Sequence, residues 1–319
     1  MDTLTNTSWA ASSPLFSVIV PAYNRAETIE RTLRSIVNQS EGNWEIIIVN
    51  DGSTDDTESV VLPFLEKETH PVMYIRKDNG GVHTARNTGV KAARGFFYIE
   101  IDSDDELTPD ALAVFRKTWD EIPDDDKPKY REMVGLCVDE KGKVCGEKFP
   151  ENINTRPWSE ALKECNATLG EHLACSITEI RKDNLFPEPE GVTFYNECIL
   201  WAELAEKYRS YYTNNIVRIY HTEGDDHLNT ELDKTEKKKT VQQLRNGLWE
   251  CSYILTHYET YRSYFPYYPT LLRYLLMRRM LRMKGDDFYR KYRVGGLRPF
   301  LFSIPVFFYS FIYRKKRMQ

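Results

Sequence analysis

The chain has 319 residues and a formal net charge of −5, but the charge is unevenly distributed. The last 58 residues, from Arg262 onward, carry 14 Lys and Arg against 2 Asp and Glu, a net charge of +12. The first 261 residues therefore carry −17, while the last 58 hold 15 of the 41 aromatic side chains. The sequence excludes an evenly charged globule. It predicts an acidic body with a basic, aromatic tail suited to an anionic membrane or a nucleic acid.

The composition narrows the class of protein further. With 41% hydrophobic and 29% charged residues, the chain is neither disordered nor a polytopic membrane protein, and its length allows one large or two ordinary domains. Six scattered cysteines without a Cys-x-x-Cys pair indicate reduced thiols rather than a zinc site. The polar residues 1–14 predict a flexible N-terminus without a signal peptide, so we expect a cytoplasmic protein.

Apolar runs alternate with helix-like stretches over the first hundred residues. Four runs indicate buried strands, and they are Phe16–Val20, Trp44–Val49, Val72–Arg76 and Phe96–Ile101. Helical spacing of apolar residues covers 29–37, about 54–67 and 82–94. Strands buried on both faces and separated by helices of roughly 10–15 residues form βαβ units. The pattern predicts an α/β fold with a mostly parallel sheet.

The pattern becomes less regular after residue 107. We predict helices over 109–121, 157–169 and 195–207, a hairpin over 132–148, and a strand at Ile216–Tyr220. From about residue 232 to residue 282 the chain reads mostly as helix. Breaks are expected near Pro266 and Pro269, because proline interrupts helical hydrogen bonding.

Three carboxylates follow the fourth strand in Asp102-Ser-Asp-Asp105. Ligands of parallel sheets bind beyond the carboxyl ends of the strands, so this position is a candidate site. Clustered carboxylates repel one another unless a cation lies between them, which favours a divalent metal. The alternative is an N-cap for the helix that begins near Pro109, but a cap needs only one Asp.

Two other strand ends carry weaker signals. Asp51-Gly-Ser follows the second strand, and Tyr23-Asn24 follows the first, after Pro21. Each segment alone is compatible with an ordinary turn. Because both fall at the same sheet edge as the acidic cluster, we interpret them as one site, where an aromatic face stacks a base and a carboxylate accepts its N–H.

These segments carry a family resemblance. The segments are Pro21-Ala-Tyr-Asn24, Val49-Asn-Asp-Gly-Ser-Thr-Asp55, Asn79-Gly-Gly-Val-His-Thr-Ala-Arg-Asn-Thr-Gly89 and Ile101-Asp-Ser-Asp-Asp105. Together they resemble the nucleotide-binding half of family 2 glycosyltransferases with the GT-A fold, over about residues 15–110. The resemblance implies a fold of Rossmann-like type with a nucleotide-sugar donor half over 15–110 and an acceptor half over 111–230. A helical C-terminal region over 231–319 follows.

The resemblance also implies roles for individual residues. Pro21, Ala22, Tyr23, Asn24 and Asp51 would surround the base, with Arg86 nearby and Asp104 on the ribose. Asp105 would hold Mg²⁺ or Mn²⁺ that bridges the donor diphosphate, and Asp102 would complete the acidic motif. No role follows for His83.

Two further roles concern the second half of the chain. In this family an acidic residue at the start of a helix takes the proton of the acceptor hydroxyl, and Glu197 of Asn196-Glu197 matches that position. The alternative is that Glu197 only complements a helix N-terminus. His221 is a candidate third metal ligand by resemblance, although a loop histidine is more often solvated or hydrogen-bonded.

The resemblance favours a non-processive bacterial enzyme. Processive synthases carry a Gln-x-x-Arg-Trp motif, whereas Gln242-Gln-Leu-Arg245 is followed by Asn246. The expected activity is an inverting hexosyl or N-acetylhexosaminyl transfer from a nucleotide sugar, UDP-linked, to a saccharide or lipid-linked saccharide in envelope polysaccharide synthesis. The alternatives are a nucleotidyltransferase on the same type of fold and a non-catalytic membrane-associated scaffold.

The tail predicts a membrane surface contact. Pro299–Tyr313 is an uncharged run of 15 residues that ends before Arg314-Lys-Lys-Arg317. As a helix it would measure roughly 22 Å, less than the ~30 Å hydrocarbon core, so lying in the interface suits it better than spanning. Leu271–Met283 interleaves apolar and basic residues like an amphipathic helix at anionic lipid. A packed cap or a partner-binding helix is the alternative, and no nucleic-acid module is visible, so we expect the inner face of the cell membrane.

Overall fold

The structure, a computed structural model, describes residues 1–10, 13–155, 170–221, 240–257, 267–292 and 294. The chain divides into two compact units. The first comprises Met1–Phe186 and Leu204–Gly224, and the second comprises Pro187–Glu203 and Asp225–Gln319. We placed the domain boundary near residue 230, whereas residues 187–203 also belong to the second unit. The helix predicted over 157–169 lies outside the described residues.

The first unit contains a nine-stranded sheet. Its strands are β1 Asp2–Thr5, β2 Phe16–Ala22, β3 Trp44–Asn50, β4 Val72–Arg76, β5 Phe97–Glu100, β6 Glu106–Leu107, β7 Tyr130–Val138, β8 His172–Ile177 and β9 Arg209–Ile219. Their order across the sheet is β1-β4-β3-β2-β5-β8-β7-β9-β6. The four central strands β4, β3, β2 and β5 are parallel, as is the pair β7 and β9, and the remaining pairs are antiparallel. The predicted α/β class is confirmed, with a sheet that is mixed outside the donor half.

Helices cover both faces of the central strands. The helices described in the first unit are α1 Ile29–Val37, α2 Thr57–Lys67, α3 Val82–Ala92, α4 Ala111–Asp120 and α5 Thr178–Lys182. A further helix, α6 Cys198–Ala205, crosses the unit boundary along the chain. Alternate residues of one strand enter different cores, because successive side chains of a strand point to opposite faces. Ile46 and Ile48 pack in the core with α1, α2 and α4, whereas Ile47 packs in the core with α3. The predicted burial on both faces is confirmed.

The N-terminus differs from our expectation of a flexible segment. β1 pairs antiparallel with β4, with Leu4 opposite Tyr74. The Asn6 side chain fixes the next turn by donating to the carbonyl oxygens of Glu68 and His70, at 2.9 and 2.7 Å. The edge of β4 would otherwise expose unpaired backbone groups. Because β1 is exposed and mostly polar, it has no hydrophobic pattern by which it can be recognised.

The second unit contains a pair of helices, α7 Val241–Thr256 and α8 Tyr267–Met283, and a short helix α9 Phe288–Lys291. A capping box formed by Thr240 and Gln243 begins α7. Pro269 lies in the first turn of α8, where its missing N–H has no helical partner to lose. The predicted break at Pro269 therefore coincides with a helix start.

The apolar side of α8 is covered by α7. One cluster joins buried residues of the two helices, namely Leu244, Leu248, Cys251 and Leu255 with Leu271, Tyr274, Met277 and Leu281. The side of α8 that carries Arg273, Arg279 and Arg282 is exposed. Among the described residues, no helix is long and apolar enough to cross a bilayer. Leu271, Tyr274, Met277 and Leu281 of the segment that we assigned to a membrane surface are thus core residues, whereas Met283 is 76% exposed. Pro299–Tyr313 lies outside the described residues.

Gly89 of α3 allows this helix to approach β2 closely, and this contact can be tested. A Cβ at Gly89 would lie 2.3 Å from Cγ2 of Ile19, which is a branched side chain with little rotamer freedom. We expect Gly89→Ala to destabilise the first unit by about 1–3 kcal/mol through overpacking, in spite of the better helix propensity of Ala. The midpoint of urea unfolding measures the change. Gly42→Ala, with no atom within 4 Å of its Cβ, is the control that should leave the midpoint nearly unchanged, and an equal midpoint for both variants would contradict the prediction.

Candidate active site

The strand directions bring the predicted motifs to one edge of the sheet. β2, β3, β4 and β5 are parallel, so the residues that follow them lie at the same edge. β9 ends at this edge too, because β5 to β8 and β8 to β7 are antiparallel steps and β7 to β9 is a parallel one. β6 then pairs antiparallel with β9, with Glu106 opposite Ile219. This pairing places the acidic cluster beside the end of β9.

The loop after β2 presents an exposed aromatic ring. Pro21 and Ala22 are buried in the strand, whereas Tyr23 is 45% exposed. Asn24 adopts a left-handed conformation with φ of 53°, which asparagine tolerates better than most residues. Its side-chain oxygen accepts from the backbone N–H of Thr54 at 2.8 Å, which fixes the loop to the segment after β3. The loop therefore holds Tyr23 at the surface on a constrained backbone.

Asp51 anchors the loop that follows β4. The side chain is almost fully buried, and its two oxygens accept from the backbone N–H groups of Gly80 and Gly81 at 3.1 and 2.8 Å. The Lys77 ammonium donates to the same oxygen as Gly80 does. A carboxylate has about four acceptor positions, so one position on Oδ2 remains after these three bonds. This capacity is compatible with the predicted N–H of a base.

Each carboxylate between residues 102 and 106 contacts at least one arginine. The four pairs are Asp102 with Arg86 at 3.1 Å, Asp104 with Arg25 at 3.7 Å, Glu106 with Arg31 at 3.9 Å, and Asp105 with Arg218. The arginines come from the loop after β2, from α1, from α3 and from β9. The acidic cluster is thus neutralised by cations from four different parts of the first unit.

Arg86 has a second carboxylate partner at the end of β5. Its Nε lies 3.5 Å from Glu100 at the end of β5, and its Nη2 donates to Asp102. Desolvation opposes the ionisation of Asp102, but the charges of Arg86 and Arg218 outweigh it and lower the pKa of Asp102. We predicted that Arg86 lies near the donor, and it does lie at the acidic cluster, where it holds a carboxylate ionised.

Asp105 is the most deeply buried of the cluster, with 1% exposure. The backbone N–H of His221 donates to its Oδ1 at 2.9 Å, and Arg218 contacts its Oδ2. Burial raises the pKa of Asp105 to about 6, although Arg218 and the hydrogen bond favour the charged form. Burial lowers the pKa of Arg218, but the nearby Asp102 and Asp105 raise it by more, so the guanidinium is charged.

His221 lies beside Asp105 as predicted, but its ring faces other carboxylates. The Nε2 atom is 2.8 Å from Glu106 Oε1, and Nδ1 is 3.5 Å from Glu140 Oε1. A bound metal would have to compete with these two partners for the ring nitrogens. The structure therefore brings the three predicted ligands Asp102, Asp105 and His221 into one region, with the imidazole in a different orientation from that of a ligand.

The chemistry of this donor set fits a divalent cation. Carboxylates are ligands that Mg²⁺ and Mn²⁺ prefer, and Asp105 Oδ2 is a buried oxygen that is already contacted by a cation, the Arg218 guanidinium. Over the described ranges, however, no group of three or more His, Cys, Asp or Glu side chains is arranged around a common point. Arg218 approaches both Asp102 and Asp105, at the place where a shared cation would lie.

Glu197, our predicted general base, belongs to the second unit. The preceding residue Asn196 accepts from the backbone N–H of Cys198 at 3.1 Å and so caps α6. The carbonyl oxygen of Glu197 accepts from the N–H of Trp201 within the helix. Both the catalytic and the helix-start interpretations are compatible with this position, and the role of Glu197 stays a prediction.

Arg218 and Lys77 are site residues that we did not predict. Lys77 follows β4 at the expected edge, but its contact with Asp51 depends on how the loop folds back. Arg218 interrupts the apolar run of β9, next to the fully buried Val217. A charged residue that is buried within an apolar run needs a partner, and this signal could have indicated its role beforehand.

Comparison with known proteins agrees with these motifs. The family model described as "Glycosyl transferase family 2" matches residues 17–126. An uncharacterized glycosyltransferase of Rickettsia bellii is 30% identical over 201 residues, which cover 60% of this chain and 26% of that protein. The GalNAc(5)-diNAcBac-PP-undecaprenol beta-1,3-glucosyltransferase of Campylobacter jejuni is 31% identical over 210 residues, covering 65% of this chain and 64% of that protein. The chain thus spans between about a quarter and two thirds of the length of these relatives.

The fold comparison covers more of the chain. The crystal structure of Staphylococcus aureus TarS 1-349 in complex with UDP-GlcNAc superimposes with a TM-score of 0.53 at 19% identity, covering 86% of this chain and 89% of that one. The shared fold extends beyond the residues of the family match. Residues 17–126, which carry the strand-end motifs and the acidic cluster, match the model of glycosyl transferase family 2, and the fold of the chain is GT-A-like.

Proposed function

We propose that the chain is an inverting, metal-dependent glycosyltransferase that moves one sugar from a nucleotide-sugar donor to a hydroxyl of a saccharide or lipid-linked saccharide. One observation carries the proposal. The exposed ring of Tyr23, the buried carboxylate of Asp51 and the acidic cluster over 102–105 meet at one edge of the sheet. A nucleotide sugar needs a ring that stacks on its base, a carboxylate that accepts an N–H of the base, and acidic groups for its ribose and for a metal at its diphosphate.

The donor half has a role for each predicted residue. Tyr23 stacks on the base, while Asp51 accepts one of its N–H groups at the remaining position on Oδ2. Pro21, Ala22 and Asn24 shape the loop that carries Tyr23. Asp104 accepts from the ribose hydroxyls, for which its side chain is partly exposed.

Asp105, Asp102 and His221 would hold Mg²⁺ or Mn²⁺. When bound, the ion supplies positive charge for the diphosphate that leaves the sugar. Arg86 keeps Asp102 ionised for this purpose. Glu197 then takes the proton of the attacking hydroxyl, so that attack on the side opposite the nucleotide inverts the anomeric carbon.

The donor and acceptor classes take support from the relatives. The S. aureus protein of the same fold has been solved with UDP-GlcNAc, which supports a UDP-linked donor and transfer of a hexose or N-acetylhexosamine. The name of the C. jejuni relative identifies an undecaprenol-linked saccharide as its acceptor. A lipid-linked acceptor in envelope polysaccharide synthesis fits a cytoplasmic enzyme at the inner face of the membrane.

The membrane contact would be peripheral and largely electrostatic. The exposed Arg273, Arg279 and Arg282 of α8 offer positive charge, whereas α7 covers most of the apolar side of this helix and leaves Met283 exposed. Pro299–Tyr313 and its basic flank would add an interfacial segment. Each basic residue near an anionic surface contributes about 1 kcal/mol.

The metal assignment can be tested by Asp105→Asn. The substitution keeps the hydrogen bond from the His221 backbone but removes the charge that would bind the metal. We expect Mn²⁺-dependent UDP affinity to fall by at least about 10–100-fold, the loss that is typical even of residues that only orient ligands. Calorimetry of UDP binding with Mn²⁺ and with EDTA measures it. Asp110→Asn, an exposed aspartate before α4, is the matched control, and an unchanged Mn²⁺ dependence in Asp105→Asn would show that Asp105 is not a ligand.

The general base can be tested by Glu197→Gln. The amide cannot accept the proton, so we expect the rate of sugar transfer to fall by about 10²–10⁴ while UDP binding stays as in the wild type. Release of nucleoside diphosphate from a panel of UDP-sugars, with a lipid-extract acceptor, measures the rate. Glu206→Gln, which alters an exposed residue just after α6, serves as the control. Near-normal transfer by Glu197→Gln would assign the proton to another residue.

The membrane contact can be tested by flotation with liposomes. A chain that ends at Gly296 lacks Arg298, the run Pro299–Tyr313 and the four basic residues that follow. Because each basic residue contributes about 1 kcal/mol at an anionic surface, we expect this chain to float much less than the full-length protein with phosphatidylglycerol vesicles. Neutral phosphatidylcholine vesicles are the control for the electrostatic part. Equal flotation of the two chains would remove the interfacial role of the last segment.

A further inference from the structure

Arg218 is more deeply buried than the other arginines at the acidic cluster and contacts more of its carboxylates. Arg25, Arg31 and Arg86 each contact one carboxylate of the 102–106 segment, from side chains that are 26%, 31% and 11% exposed. Arg218 is 8% exposed and reaches two, Asp102 at 3.7 Å and Asp105 at closer range. Among the described residues, it is the arginine that contacts Asp105. The charged form of the buried carboxylate is thus favoured by this guanidinium and by the hydrogen bond from the His221 backbone.

Arg218 is held at the cluster by its carboxylate partners. Its Nη2 contacts Asp105 Oδ2, whereas its Nε is buried without a hydrogen-bond partner in the part of the chain that the structure describes. A buried donor without a partner costs free energy, so the attraction to Asp102 and Asp105 must offset this cost. A cation that competes for these carboxylates therefore competes directly with Arg218.

Arg218 also lies where a cation shared by Asp102 and Asp105 would lie. A divalent ion about 4 Å from the guanidinium would repel it by roughly 8 kcal/mol even at an effective dielectric constant near 20, because the repulsion doubles with the charge of the ion. A divalent ion that binds Asp105 must therefore displace the guanidinium from it. Binding of the ion and contact with Arg218 are mutually exclusive at this carboxylate.

We propose that Arg218 is the internal counter-ion of the metal-free site, which bridges Asp102 and Asp105 and competes with the divalent cation for Asp105. The proposal rests on the proposed function only for the identity of the ion and its ligands. Without metal, Arg218 keeps two carboxylates of a crowded cluster from repelling each other. Arg218 also weakens metal binding. The free energy with which it stabilises the metal-free carboxylates must be given up when the ion displaces it.

The test measures the affinity of the full-length protein for Mn²⁺ in the absence of donor. Electron paramagnetic resonance reports the concentration of the free ion. Arg218→Gln removes the charge and keeps a polar side chain of moderate size. We expect Arg218→Gln to bind Mn²⁺ more tightly than the wild type, by a factor within the 5–150-fold range that is usual for coupled sites. We also expect a lower melting temperature in EDTA and a larger rise on addition of Mn²⁺ than in the wild type.

Three further variants separate competition from a general loss of stability. Arg94→Gln breaks another arginine–carboxylate pair of the first unit, with Glu45 at 2.6 Å, and should lower the melting temperature without changing Mn²⁺ affinity. Arg218→Lys keeps the charge and should bind Mn²⁺ about as tightly as the wild type. This variant still tests the role of the charge if Arg218→Gln folds poorly. Adding Asp105→Asn to Arg218→Gln should abolish the gain in affinity, because the ligand for which the two cations compete is then absent.

Unchanged or weaker Mn²⁺ binding in Arg218→Gln, with Arg218→Lys equal to it, would overturn the proposal and leave Arg218 as a structural residue. This outcome is distinguishable from a failure of the proposed function. Wild-type protein that binds Mn²⁺ and transfers sugar would still support the function without competition. Gain of Mn²⁺ binding in Arg218→Gln, even if the wild type transfers no sugar, would still support the competition.

Discussion

The balance between carboxylates and arginines at the end of β5 is the constraint on which the site depends. Four carboxylates over residues 102–106 lie close together, and each is matched by a guanidinium from a different part of the first unit. The cluster cannot form unless β2, α1, α3 and β9 are all in place. Its charges therefore connect residues 15–110 of the chain to β9, which ends at Ile219. A site assembled in this way is specified by the tertiary fold and not by its local motif.

The pairing of β6 with β9 is the structural step that makes this connection. β6 has only two residues, but its register sets Leu107 opposite Arg218 and Glu106 opposite Ile219. The backbone of His221 then reaches Asp105, and the guanidinium of Arg218 reaches the same carboxylate. A shift of one residue would turn Arg218 to the other face of the sheet, because strand side chains alternate. The short strand thus controls which charge faces the acidic cluster.

The sequence predicts the donor half better than the rest, for physical reasons. Buried parallel strands such as Trp44–Asn50 are continuous apolar runs, and the residues that follow them lie at one edge in any sheet of this kind. β8 was missed because His172–Ile177 mixes polar and apolar residues, and β1 was missed because it is polar. The contact between Asp105 and Arg218 joins residues more than a hundred positions apart. No periodicity or spacing contains it, and only the buried charge in β9 hints at it.

The pairing of carboxylates with arginines at this site also bears on the uneven net charge along the chain. The first 261 residues carry −17, and a donor diphosphate is itself an anion. If the acidic cluster were uncompensated, each of its charges would repel the donor by roughly 4 kcal/mol at 4 Å, with an effective dielectric constant near 20. Because arginines pair with all four carboxylates, the excess of negative charge must lie elsewhere on the body. A diphosphate could then approach an edge at which each carboxylate of the acidic cluster is paired with an arginine.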